Sequence, residues 1–452
     1  MFERGDTIHN MSVRDSPIRA YVLVLLTFAS VFFSRLLTTM GAPGLVNFLH
    51  FALVPILFVI LCYKVSPKLR PILVGMGVLL VAIVFSALMN GAGFVNVVLD
   101  FLLLAEPFLL LAAMVNIPWS LSSVRHFRHW LLLFIVVDVL LAYFQRFALG
   151  FVDDGVTGVF GENGAHTAAA VAFIGGIYFF ARLTELSVIL RVTIALSWAA
   201  VIIFADAKQV IVAVLAALVV LAIIKWKHFS STLRYVALLG VGIVITVWLA
   251  STIFPALTNW ADASKIRDGL EQKLQVFSIF ASFYHLPFNW VFGLGPGHTV
   301  GRLAIMLPDY YQYFQPLGAT TSPATQEVLT TSQASYVTNS TTGSSMWSLQ
   351  FSWAGIWGDL GLLGVGTYFC LWWLVWRNLA STDFSRFLLV IILVFGAIFF
   401  WLEDPGFMLF IVSLIGLEWQ EHQNKVSTLA NERAAKRMVK RSYVAEALKR
   451  SG

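Results

Sequence analysis

The sequence predicts an all-α polytopic membrane protein of about twelve transmembrane helices, with one large outer (periplasmic) loop that contains an amphipathic helix. Three observations predict this. The 452-residue chain is 59% hydrophobic and only 12% charged, with a mean hydropathy of +0.81; a soluble domain would carry roughly twice that charge. Apolar runs of about 20 residues, each long enough to cross a bilayer as a helix, recur along it. Its cations gather on alternate connections between those runs.

Taken in order, the spans lie at 20–40, 45–62, 71–89, 94–116, 129–149, 165–181, 188–205, 209–224, 235–254, 358–376, 386–402 and 405–418. A polar segment, 1–19, precedes them, and Tyr21 to Met40 is too long and too uncapped for a cleaved signal peptide, so it reads as the first span. Arg4, Arg14 and Arg19 stand before it; Lys64, Lys68 and Arg70 follow the second span, and Arg125 and Arg128 the fourth. Arg182 and Arg191 follow the sixth, Lys225, Lys227 and Arg234 the eighth, and Arg377 and Arg386 the tenth. The tail adds Lys425, Arg433, Lys436, Arg437, Lys440, Arg441, Lys449 and Arg450. In all, 23 of the 30 Lys and Arg fall on one side. Because cations are retained on the cytoplasmic side, both termini are predicted inside and the long loop outside. The chain then divides into a bundle of nine spans (20–254), the loop (255–357), three closing spans (358–418) and a basic cytoplasmic tail (419–452).

A basic run at such a terminus sets topology and makes a solvated or headgroup-touching helix, so the net charge of +6 does not point to nucleic acid. Cys62 and Cys370 near cytoplasmic span ends imply no disulfide framework.

The ionisable residues left near the outer ends are the chemically informative set. Arg35, Asp100, Arg146, His166 and Lys208 each lie within about 10 Å of an outer helix end. Ionisable groups at such depth face a bundle interior or wet cavity, or else snorkel or pair, as Asp100 could with Arg35. Glu106-Pro107 and Asp138 lie deeper and read as protonated or paired supports, with Pro107 kinking its span. The glycines at 155, 158, 161 and 164 suit a loop lining a cavity or a plain turn, with Glu162, Asn163 and His166 as its polar groups. Lys208 opens a helix after a short turn beside Asp206, which suits an anion such as phosphate or an interfacial anchor.

In the long loop, Ile266, Leu270, Leu274, Phe277 and Ala281 recur at helical spacing opposite Arg267, Glu271, Gln275 and Ser278. They predict an amphipathic helix on the membrane surface or the bundle, with Arg267 as a phosphate or carboxylate ligand or a solvated face. Gly293, Gly295 and Gly297 with Pro296 form a tight turn that holds His298, with Arg302 one turn beyond. Residues 318–345, rich in Thr, Ser, Gln, Ala and Gly, read as a mobile flap. Asp359 starts the next span, and Glu403-Asp404-Pro405 is a hairpin too short to be a site by itself.

The order of these segments resembles the O-antigen ligase and polymerase superfamily of bacterial membrane glycosyltransferases. The likeness rests on Gly158-Val-Phe-Gly-Glu-Asn-Gly-Ala-His-Thr-Ala168, Asp206-Ala-Lys-Gln209, Arg267 leading to Pro287-Phe-Asn-Trp-Val-Phe-Gly-Leu-Gly-Pro-Gly297, and Trp357-Gly-Asp-Leu-Gly-Leu-Leu-Gly364. It covers roughly residues 140 to 376. The resemblance implies transfer of a glycan from an undecaprenyl-pyrophosphate carrier to an acceptor hydroxyl at the outer face of the bacterial inner membrane, without cofactor or metal. Lys208, Arg267, Arg146, Arg35 and Arg302 would bind pyrophosphate, and His298, Glu162, His166 and Asp359 are the base candidates. Membrane lipid and other polysaccharide-assembly proteins are the implied partners. Relatives that act as ligases carry a His motif where this chain has Thr342-Gly-Ser-Ser-Met-Trp347, which favours a polymerase over a ligase. A secondary transporter or lipid flippase, and a non-catalytic scaffold, are the rival readings.

Overall fold

The computed structural model describes residues 17–225, 229–253, 262–338 and 345–450, and these contain helices and turns but no strand. The expectations placed on Arg4, Arg14, Lys227 and the Thr342–Ser344 part of the divergent motif lie outside the described residues. Among the described residues six helices are long and apolar enough to cross a membrane, which makes the chain a multi-pass membrane protein by length and composition.

The first half runs α1 (Pro17–Phe32), α2 (Ser34–Thr39), α3 (His50–Leu61), α4 (Arg70–Asn90), α5 (Phe94–Asn116) and α6 (Leu121–Phe147). Then come α7 (Ala165–Arg182), α8 (Val188–Ala199), α9 (Val201–Phe204), α10 (Lys208–Ile224) and α11 (Phe229–Thr252). The long connection that follows supplies α12 (Ala263–Phe283), the single turn α13 (Asn289–Phe292), α14 (Arg302–Phe314) and α15 (Pro323–Thr338). Three helices close the chain: α16 (Ser352–Asn378), α17 (Asp383–Ile398) and α18 (Pro405–Arg450).

Two helices form the axis. α5 is buried almost throughout, and α18 is buried on every side from Phe407 to Gln420, as expected of a helix that is apolar all round. Where α18 leaves the bundle, its polar residues are clamped. Glu418 takes the Arg182 guanidinium and the Thr382 hydroxyl, Glu421 takes Arg128, and the Gln420 amide donates to the Met114 and Ile117 carbonyls. The tail continues the same helix rather than starting a new element, because no Gly or Pro interrupts it. Pro107 is accommodated inside a continuous α5, and Glu106 beside it meets His50 Nδ1 at 2.7 Å.

The long connection between α11 and α16 departs from expectation in two ways. Much of the Ser/Thr-rich tract is not a flap: residues 323–338 form α15, which buries Ala324, Thr325, Val328 and Ser332. The amphipathic helix forms, but turned from the predicted face. Gly269, Lys273, Val276, Ile279 and Phe280 are buried, while Ile266, Leu270 and Leu274 are 39%, 46% and 46% exposed. Hydropathy ranks Lys273 as polar and so misses that backbone carbonyls can satisfy it. The Gly-rich turn is a turn as expected, and it is tucked between the Asn90–Asn96 junction of α4 with α5 and the middle of α16.

That insertion depends on a break in α16. Gly361 leaves helical geometry at φ +64° and ψ −162°, a conformation open in practice to glycine alone. Gly293 takes φ +73° where the turn crosses it, and a Cβ there would lie 2.4 Å from the Asp359 backbone. The carbonyls beside the break are not orphaned. Leu294 N–H donates to Gly358 O at 2.8 Å, and Asp359 O accepts from Gly295 N–H at 3.0 Å and from the Ser86 hydroxyl at 2.6 Å. Within a bilayer every such group needs an internal partner, and here the turn supplies most of them.

Candidate functional site

Two polar clusters lie at the end of the bundle where α18 begins. The first is organised by the Glu403-Asp404 hairpin between α17 and α18. Asp404 Oδ2 accepts from Arg302 Nη1 at 2.6 Å and from Arg35 Nη2 at 3.3 Å, while its Oδ1 accepts from Phe407 N–H and so caps α18. Glu403 Oε2 accepts from the Arg302 backbone N–H at 2.5 Å, which places a carboxylate at the start of α14. Burial alone would raise the Asp404 carboxyl, but Arg302 and Arg35 outweigh it and hold it well below the usual carboxylate range. Burial, reinforced by the charge of Asp359, pushes the neighbouring Glu403 up to about 8.

Asp359 stands on the far side of Gly301, where a Cβ would lie 3.1 Å from both Asp359 Oδ2 and Glu403 Oε2. Its Oδ2 accepts from Gly297 N–H at 3.0 Å; its Oδ1 accepts from His298 N–H at 3.1 Å and the Thr299 hydroxyl at 2.6 Å. Both oxygens are therefore engaged in holding the turn. His298 is engaged as well. The Leu294 carbonyl fixes a proton on Nδ1 (2.9 Å), so Nε2 accepts from the Thr320 hydroxyl at 2.8 Å. Burial lowers its pKa from the ordinary value, which favours the neutral ring.

The second cluster lies around the start of α10. Lys208 Nζ meets Asp206 Oδ2 at 2.5 Å across a turn in which Asp206 takes a φ of +46°. His166, at the start of α7, has Nδ1 3.7 Å from Asp154 Oδ1 and is also bonded to the Gln209 side chain. Gln209 Nε2 donates to the Ser345 hydroxyl at 2.8 Å, which ties α10 to the segment before α16. An aromatic bridge runs from this cluster to the first: the His166 ring lies 5.6 Å from that of Phe399, and Phe399 stacks on Trp401 at 4.3 Å. Trp401 opens the turn that carries Glu403.

Of the residues predicted from sequence, the structure brings Arg35, Arg302, His298 and Asp359 to one place and His166 and Lys208 to another. The rest stay apart. Arg267 is 78% exposed and paired with Glu271 along its own helix; Arg146 donates to Phe151 O at the end of α6; Glu162 is exposed. Asp100 does not pair with Arg35, because Asp404 takes that arginine. Asp100 instead is buried near Asp359 and Glu403, with Oδ2 unpartnered. Glu403, Asp404, Thr299 and Thr320 are the site members that sequence reasoning passed over. The one signal for the first two was a pair of acids between two apolar spans. Among the described residues no group of His, Cys, Asp and Glu is arranged to hold a metal ion. No protein-family model matches the chain, and no curated protein is significantly similar to it.

Proposed function

We propose that this chain is a membrane glycosyltransferase. It would polymerise, or pass to an acceptor, oligosaccharide repeat units carried on a polyprenyl pyrophosphate, at the outer face of a bacterial inner membrane. In this reading the six long helices, α1, α8 to α11, α17 and the buried part of α18 together make the twelve-span bundle, with both termini in the cytoplasm. A ligase that uses a lipid acceptor is the same chemistry with a different acceptor.

The observation that carries the proposal is that Lys208 of α10 and Arg35 and Arg302 of α2 and α14 stand in two clusters linked through the His166, Phe399 and Trp401 rings. Fixed cations there would stabilise the charge that develops on a departing pyrophosphate. Lys208 and Asp206 are both partly exposed, so an incoming phosphate can replace the Asp206 carboxylate. His166 is the base that fits best. Asp359 and His298 are consumed by the turn, whereas His166 is only partly buried and is oriented by Asp154 and Gln209. His166 would take the proton from the acceptor hydroxyl as that oxygen bonds to the anomeric carbon. The bond from that carbon to the carrier oxygen breaks, and its electron pair leaves with the lipid pyrophosphate. The test is purified protein supplied with lipid-linked repeat units alone: wild type should release polyprenyl pyrophosphate and form longer glycans, and Lys208→Ala should not.

One observation favours a second reading, secondary transport or lipid flipping. A helix broken in mid-span, as α16 is at Gly361, is a common way to build a transport site, and His50–Glu106 is a buried ionisable pair in the same bundle.

A further inference from the structure

Helix α12 presents a lysine to the bundle, and among the described residues no carboxylate pairs with it. Lys273 is 7% exposed. Its Nζ donates to Met346 O at 2.9 Å and to Ile398 O at 3.1 Å, and lies 4.6 Å above the centre of the Phe351 ring. Ile398 is the last residue of α17, so one contact falls on a helix C-terminus; the other falls on the segment 345–347. Those two carbonyls sit beside the second cluster. Met346 follows Ser345, which accepts from Gln209, and Ile398 precedes Phe399, which packs on His166. A few residues back along α12, Trp347 is pressed so close to Gly269 that a Cβ there would lie 2.3 Å from the indole.

We propose that Lys273 is the latch that seats α12 on the bundle and thereby positions Ser345 and Phe399 over the Lys208–His166 cluster. This rests on the transferase reading for its purpose, although not for its geometry. A neutral amine has two N–H donors, and the seat offers two carbonyl acceptors. A charged ammonium in the same place has lost its water without gaining a counter-ion. Burial accordingly lowers the Lys273 pKa to about 7.

The surrounding elements carry little that could mask this titration. Residues 345–352 and 395–401 contain no ionisable side chain. On α12 itself Arg267, Asp268 and Glu271 are exposed, as is Glu327 of α15, while His166, Asp206 and Lys208 lie beyond Phe399 and the Gln209–Ser345 bond. An exposed lysine titrates near 10.4 and the seated one near 7. The seated state therefore binds fewer protons than the released one between those values. Its stability is full above the upper value, falls as pH drops towards about 7, and changes no further below it.

The experiment is hydrogen exchange of residues 263–283 in the intact protein in lipid nanodiscs, with protection corrected for intrinsic exchange rates. Wild type should gain protection roughly tenfold per pH unit between pH 7 and 9 and stay level below 7. Lys273→Met, which keeps the length of the side chain without its charge, should show a level profile throughout. A wild-type profile that is flat above pH 7, or a Lys273→Met profile that still rises, overturns the latch, and the first of these needs no variant to fold. If α12 titrates as stated in a protein that turns over no lipid-linked glycan, the latch stands and the transferase reading falls.

Discussion

At the scale of single residues, the site is an exercise in which polar atoms remain available. Asp359 and His298 look like catalytic groups in the sequence, yet each spends its polar atoms on the turn that holds the broken helix. Lys208 is different, because its partner Asp206 is partly exposed and can be displaced. Removing one fixed charge that stabilises a leaving group typically costs about 100- to 1,000-fold in rate. Lys208→Ala should lose turnover on that scale while its melting temperature stays near that of wild type. Arg267→Ala, on an exposed pair, should change stability by no more than about 0.5 kcal/mol. Glu403 supplies a pH prediction. Its folded pKa of about 8 lies above the ordinary carboxylate value, so folding favours the protonated form. That stability is full below the ordinary value and is lost as pH rises through about 8. The melting temperature of wild type should therefore fall between pH 5 and 8, with a shallower fall in Glu403→Gln.

Legibility at this scale was uneven for a physical reason. The cations could be picked out because a charge near a membrane is conspicuous against an apolar background. Their partners could not, because Asp404 is 369 residues from Arg35 and 102 from Arg302 along the chain. Nothing in a two-residue hairpin announces that it will close two such contacts.

At the scale of elements, periodicity located the helices and glycine marked the breaks. The helix over 263–283 was legible, but its buried face was not, since a buried lysine satisfied by carbonyls defeats any rule that sorts residues by hydropathy. Residues 323–338 were mistaken for a flap because Thr and Gln count as polar, although Ala324 and Val328 at i, i+4 suffice to seat a helix against its neighbours. The Gly-Leu-Gly-Pro-Gly turn was visible as a turn. Its insertion beside Gly361 was not, because the two segments meet only in the fold. Gly361→Ala should be severe: a Cβ would stand 2.4 Å from the Val291 backbone, at a φ of +64°. The strain and the clash together should cost at least about 3 kcal/mol. Thermal unfolding in detergent measures it, and a melting temperature within a degree of wild type would contradict the account of the broken helix.

At the scale of the whole molecule, the bundle has an apolar axis in α5 and α18, a clamped end at Glu418 to Glu421, and a polar end, where α18 begins, built from separate stretches of chain. The class of protein was legible from composition alone, since an apolar excess of this size leaves few alternatives to a helical bundle in a membrane. Transport and transfer make opposite demands on this architecture. A transporter would depend on the buried His50–Glu106 pair, so Glu106→Gln should abolish flux while changes at Lys208 matter little. A transferase that works at the outer end should tolerate Glu106→Gln within a few-fold, provided the variant folds, and should fail in Lys208→Ala. The most direct measurement of the central claim gives the purified protein lipid-linked repeat units and no other substrate. Release of polyprenyl pyrophosphate together with longer glycans is the result the account predicts. Folded protein that leaves the lipid-linked units unchanged would contradict it.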